Sequence, residues 1–135
     1  MVIDTSAVMA ILQQEEEAEH FSRLIEDATV KLMSAGTALE TGILAESRRG
    51  RAGASELENF ILRARIEIVS FDIDQATIAR DAHRRYGKGR HPAGLNMGDC
   101  FSYALAKASG EPLLFKGDDF GRTDITSCPV GTSTP

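Results

Sequence analysis

Met1-Val2-Ile3-Asp4-Thr5-Ser6-Ala7 opens the chain with three apolar residues that stop at a carboxylate and two hydroxyls. So short a run with β-branched Val2 and Ile3 reads as a buried strand, and Ser6 is placed to cap a helix over Ala7 to Gln13. Downstream, Glu15, Glu16, Glu17 and Glu19 load the start of a second helix, where the dipole favours negative charge, and Phe21, Leu24, Ile25 and Ala28 share one face. Val30 to Met33 reads as a strand and Thr37 to Arg48 as a helix. Gly50-Arg51-Ala52-Gly53 then reads as a turn leading to a helix over Ser55 to Arg65, which together predict a helical hairpin. Ile66 to Phe71 is a third strand, Asp74 to Tyr86 a helix, Gly87 to Gly94 a loop, Met97 to Ser109 a helix ended by Gly110, and Pro112 to Phe115 a fourth strand. Short apolar strands alternating with helices predict an α/β fold with a mostly parallel central sheet of four to five strands flanked by helices. One domain over residues 1–130 is expected, with 131–135 as a disordered tail. Ligands of such sheets bind off the carboxyl ends of the strands, where Asp4 and Asp118-Asp119 fall.

The composition bounds the function. With 135 residues and 42% hydrophobic content, the chain holds one sizeable core and not two. It has neither an 18-residue apolar run nor a basic-then-apolar leader, so it reads as cytoplasmic and free of the membrane. Cys100 and Cys128 lack metal-type spacing and read as small buried thiols. The formal net charge is −5, yet residues 48–91 hold 10 Lys/Arg against 6 Asp/Glu. Arg80, His83, Arg84, Arg85, Lys88, Arg90 and His91 crowd into a dozen residues, a density that suits phosphate, an acidic protein segment or a solvated helix face.

The acids carry the chemistry. Asp4, Glu40, Asp99 and the Asp118-Asp119 pair each lie where an apolar strand or helix begins, ends or turns inward, so they can meet on one edge of the sheet. Singly, Asp4 is equally a helix cap, Asp99 a helix-start anion and Asp118-Asp119 a turn, whereas Glu40 lies in a helix apolar enough that its carboxylate needs a partner. Together they form an all-oxygen set of the kind that holds Mg²⁺, which uses one or two carboxylates, keeps waters and accepts phosphate oxygens. Phosphodiester hydrolysis is the implied reaction.

Val2-Ile3-Asp4-Thr5-Ser6-Ala7, Ala38-Leu39-Glu40, Leu95-Asn96-Met97-Gly98-Asp99-Cys100-Phe101-Ser102-Tyr103-Ala104-Leu105-Ala106 and Pro112-Leu113-Leu114-Phe115-Lys116-Gly117-Asp118-Asp119-Phe120 resemble, in order and spacing, the PIN-domain ribonucleases of the VapC toxin type. The resemblance implies a parallel sheet with helices on both sides and a Mg²⁺ site in which Mn²⁺ can substitute. It further implies endonucleolytic RNA cleavage, a cognate VapB-type antitoxin, a homodimeric toxin and a toxin-antitoxin hetero-oligomer. Asp4, Glu40 and Asp99 match the family's three best-defined acids, with Ser6 supporting Asp4 and Thr5 and Asn96 in supporting places. The chain departs at the fourth acid: Phe115 stands for a Thr and Gly117 for an acid, leaving Asp119 in register and Asp118 displaced by one, which favours one metal at rest. Arg84, Arg85, Lys88 and Arg90 are expected to contact RNA or antitoxin, and His20, His83 and His91 are not catalysts. Two rival readings remain at this point: a metal-dependent DNA nuclease or phosphatase using the same acids, and an inert protein-binding module of the same fold.

Overall fold

Val2 and Ile3 are completely buried because β1 (Val2–Ile3) runs through the middle of the sheet and is paired on both sides. In this computed structural model, which describes residues 1–128, four strands lie in the order β3-β2-β1-β4, every pairing parallel. The others are β2 (Leu32–Ser34), β3 (Glu67–Val69) and β4 (Leu113–Leu114). Val2 faces Leu32 on one side and Leu113 on the other, and a further parallel bridge joins Leu113 to Ser127. Parallel pairing requires crossovers, and helices supply them on both faces. One apolar cluster packs Ile3, Val8, Phe21, Ile25, Met33 and Leu57; a second, across the sheet, packs Val2, Leu95, Tyr103, Leu105, Leu113 and Phe120.

Among the described residues five α-helices accompany the sheet: α1 (Thr5–Leu12), α2 (Ala18–Asp27), α3 (Ala35–Ala64), α4 (Ile73–Tyr86) and α5 (Met97–Ser109). The first begins two residues earlier than expected, because Asp4 rather than Ser6 is its cap: the Asp4 carboxylate accepts from the Ser6 amide at 3.0 Å. Strand β2 likewise starts at Leu32 rather than Val30. The expected hairpin has a tighter corner than the turn Gly50–Gly53. Only Arg49 (φ −136°, ψ 16°) and Gly50 (φ 60°, ψ −146°) leave helical geometry inside α3. The left-handed φ of Gly50 suits glycine. Beyond it the chain folds back so closely that a Cβ on Gly53 would stand 2.9 Å from the carbonyl carbon of Ala45. Helix α5 spans the expected residues, with Asn96 as cap and Gly110 (φ 75°) as stop. The tail expected over 131–135 lies outside the described residues. Among the described residues no helix is long and apolar enough to cross a membrane.

Candidate active site

Strand β1 leads into Asp4, β2 into the helix that carries Glu40, and β4 runs on to Asp118-Asp119, so these acids lie beyond the carboxyl ends of the strands. Asp4 is 2% exposed, the deepest of them. Burial raises its pKa, and hydrogen bonds oppose the rise: Ser102 Oγ donates to Oδ1 at 2.6 Å, and Ser6 gives Oγ and its amide to Oδ2 at 2.7 and 3.0 Å. Both oxygens are thereby oriented. Ser102 in turn meets Thr37 Oγ1 at 3.3 Å, and the Lys116 amide donates to Ser6 Oγ at 2.9 Å, which ties α1, α3, α5 and the segment after β4 to one carboxylate.

Glu40 is half-buried and finds its partner in Thr5, whose Oγ1 donates to Oε1 at 2.6 Å. Its carboxylate is seated against the bare Cα of Gly98: a Cβ there would lie 2.5 Å from Oε1, 2.6 Å from Cδ and nearer still to Oε2. Asp99 closes a capping box with Asn96: its Oδ2 accepts from the Asn96 amide at 3.0 Å while Asn96 Oδ1 accepts from the Asp99 amide at 2.9 Å. The Asp99 pKa is raised to about 6, by desolvation first and by the charges of Asp4, Asp119 and Glu40, against the lowering effect of the hydrogen bond from the Asn96 amide. Four carboxylates thus share one electrostatic neighbourhood. Asp119 belongs to it through its charge on Asp99, and both Asp119 and its neighbour Asp118 are exposed. Gly117 (φ 105°) makes the turn that brings Asp119 round to the start of a short 3-10 turn, Phe120–Arg122.

Among the described residues no three His, Cys, Asp or Glu side chains close tightly enough to enclose an ion by themselves. Asp4, Glu40 and Asp99 are each held by their own donors, and like charges about 4 Å apart repel by about 4 kcal/mol at an effective dielectric of 20. The oxygen-only donors, the depth of Asp4 and the raised pKa of Asp99 fit a hard divalent cation that keeps most of its waters and takes few carboxylates directly.

The sequence-level reading missed two members of this arrangement. Ser102 is a completely buried hydroxyl on an otherwise apolar helix face one turn beyond Asp99, and Gly98 is a glycine inside a helix start; those oddities were the only signals available. The basic stretch is more engaged than expected. Arg84 pairs with Asp81 at 3.3 Å; Arg85 reaches Asp81 at 3.5 Å and Asp124 at 3.8 Å and donates to Tyr86 Oη at 2.9 Å. Lys88 and Arg90 are exposed and outside any ion pair among the described residues. Neither His83 nor His91 enters the acid pocket's hydrogen bonds, and the Nε2 of His20 is buried without a partner.

The PIN domain model matches residues 1–125. The chain belongs to the PIN-domain family. Within it, the chain is 56% identical to the ribonuclease VapC of Mycolicibacterium smegmatis over 127 residues, covering 94% of this chain and 98% of that protein. It is 54% identical to ribonuclease VapC30 of Mycobacterium tuberculosis, again over 127 residues, with 94% and 97% covered. Among solved structures, the Mycobacterium tuberculosis toxin VapC20, which cleaves the sarcin-ricin loop, superposes with a TM-score of 0.76 at 18% identity, covering 94% and 97% of the two chains. VapBC2 of Rickettsia felis, bound to a fragment of its promoter DNA, gives 0.73 at 15% identity, covering 93% and 94%. Both structural likenesses show that this sheet order and helix arrangement are those of the PIN fold. VapC ribonucleases of this family are metal-dependent in general.

Proposed function

We propose that this PIN-domain protein is an endoribonuclease toxin of a toxin-antitoxin pair, dependent on Mg²⁺ with Mn²⁺ able to substitute, and silenced by a VapB-type antitoxin. The observation that carries the reading is the convergence on Asp99 of the charges of Asp4, Glu40 and Asp119. The high identity to VapC ribonucleases along almost the whole chain supports RNA over DNA or a phosphate monoester as substrate. It also argues against an inert binding module, as do two carboxylates kept in costly burial.

Asp4 and Asp99 would hold the ion; Ser6 and Ser102 fix the lone pairs that Asp4 presents, and Asn96 does the same for Asp99. When bound, a divalent ion neutralises charge on the phosphate and acidifies nearby water. Glu40, steadied by Thr5, and Asp119 orient the attacking water and accept its proton. Attack in line with the ribose 3′ oxygen breaks the P–O3′ bond, leaving a 5′-phosphate and a 3′-hydroxyl, and the 2′-hydroxyl takes no part. That route needs no histidine pair, in keeping with the places of His20, His83 and His91 outside the pocket. Arg84, Arg85, Lys88 and Arg90 supply charge for RNA or for the antitoxin, the toxin pairs as a homodimer within the toxin-antitoxin assembly, and it works in the cytoplasm, where its substrate is. Incubating purified protein with total RNA and Mg²⁺ and mapping the new ends tests the reading: discrete 5′-phosphate ends are expected, and intact RNA would overturn it.

A further inference from the structure

From Asn96 onward, the cations among the described residues are Lys107, Lys116 and Arg122. Lys107 pairs with Asp124 at 2.9 Å, and Lys116 pairs with Glu15 and, at 3.2 Å, with Glu17. Arg122 is exposed and enters no ion pair among the described residues. The short 3-10 turn Phe120–Arg122 decides where it stands. Asp119 is the residue that opens this turn; its carboxylate makes no capping bond, and its carbonyl accepts from the Arg122 amide at 3.3 Å. Such a turn closes after three residues with a rise of about 2 Å each, so side chains three apart are eclipsed. Arg122 therefore stands on the same face as Asp119, about 6 Å further along. Its Nη1 donates to the carbonyl of Pro92, in the loop that leads to the Asn96 cap and Asp99. The guanidinium thus spans from the segment bearing Asp119 to the segment bearing Asp99, two acids whose charges act on one another. That tether is weak: 3.4 Å lies beyond the usual range of about 2.7–3.2 Å, and the acceptor is a neutral carbonyl. A phosphate offers arginine two charged oxygens that match its planar fork, a bond about twice as strong. RNA must bring such phosphates to a pocket of like charge, and a loosely held cation at the pocket's edge offsets the repulsion. One turn from Asp119 is also close to the spacing of neighbouring phosphates in an extended strand.

We propose that Arg122 is a phosphate-binding residue: it leaves the Pro92 carbonyl for the RNA phosphate next to the one that is cut, and so sets the register of the strand across the acids. The inference rests on the ribonuclease reading above. Its test is a short single-stranded RNA in which one phosphate at a time is replaced by an uncharged methylphosphonate. Binding is measured in EDTA, where it is read without cleavage, to the wild type, Arg122→Gln and Arg122→Lys. The glutamine keeps a donor for Pro92 without the charge; the lysine keeps the charge without the fork. Circular dichroism and melting establish that each variant is folded, as an exposed position allows. With unmodified RNA, Arg122→Gln should bind about tenfold more weakly, the scale of one lost charge-assisted contact, and flatten the slope of log K against log salt by about 0.7. Arg122→Lys should keep the slope and recover part of the affinity. In the scan, one methylphosphonate position should weaken the wild type and leave Arg122→Gln unaffected, and end mapping with Mg²⁺ should place that position beside the cut. Identical scans for the wild type and both folded variants overturn the inference. That holds equally where a variant only melts lower, which makes Arg122 a tie to the Pro92 loop, or only escapes the antitoxin, which makes it an antitoxin contact. A wild type that neither binds nor cuts RNA defeats the ribonuclease reading itself; one that binds and cuts while the variants match it defeats the assignment of Arg122 alone.

Discussion

Replacing Gly98 by Ala should cripple the site while leaving the fold nearly untouched. The new methyl would lie 2.6 Å from Glu40 Cδ. Ordinary carbon-carbon contact needs about 3.5–4.0 Å, so the carboxylate must retreat by about 1 Å or more. It can do so, being the far end of a half-buried, flexible side chain, but it must stretch or break the 2.6 Å bond from Thr5 Oγ1. A hydrogen bond to a charged group contributes about 1.5–3 kcal/mol, an upper figure here because a displaced Glu40 regains water. Alanine in place of glycine within a helix returns about 0.5–1 kcal/mol. Net destabilisation is therefore about 1 kcal/mol, a few degrees in melting temperature for a domain of this size. Activity responds on a different scale: a misplacement of about 1 Å in a catalytic group costs about a hundredfold. Thermal unfolding and kcat/KM for RNA cleavage, measured on the same preparation, separate the two. A Gly98→Ala protein that melts within a few degrees of the wild type and cuts RNA at the wild-type rate would refute the idea that the Glu40 seat matters.

Ser102→Ala leaves Asp4 Oδ1 without its donor in a buried place, so urea unfolding at neutral pH should show a loss of about 1–3 kcal/mol, and cleavage should fall with it; an unchanged midpoint would count against the Ser102–Asp4 bond. The raised pKa of Asp99 fixes a sign: the folded metal-free protein holds a proton that the unfolded chain releases, so this residue's contribution in EDTA weakens as pH rises from about 4 through about 6, and Asp99→Asn should flatten melting temperature across that window. Mg²⁺ or Mn²⁺ should raise the melting temperature of the wild type, by RT ln(1 + [L]/Kd), and do so much less in Asp4→Asn; equal shifts would remove Asp4 from the ligand set.

How much of this was legible in the sequence depended on whether the determining contacts were local. Helix α5 was readable to the residue because its cap at Asn96 and its stop at Gly110 act within a few positions. Strand β2 was misplaced by two residues because its bounds are fixed by pairing with Val2 on one side and with Glu67, Ile68 and Val69 on the other, which no local pattern reports. Asp4, Glu40 and Asp99 stood out as carboxylates at the edges of apolar elements. What arranges them did not: Ser102 is 98 residues from Asp4, Thr5 is 35 from Glu40, and Gly98 matters for an atom it lacks. Arg85 looked like a free cation and is tied to Asp81 and Asp124, because partners for a long side chain are set by tertiary packing.

Cleavage of a defined RNA by purified wild type and Asp99→Asn, each with Mg²⁺ and with excess EDTA, tests most directly whether these acids cut RNA by way of a divalent cation. The wild type should give 5′-phosphate products with Mg²⁺ alone and none in EDTA, and a folded Asp99→Asn none under either condition. Cleavage by the wild type that persists undiminished in EDTA, or by Asp99→Asn at the wild-type rate, would contradict it.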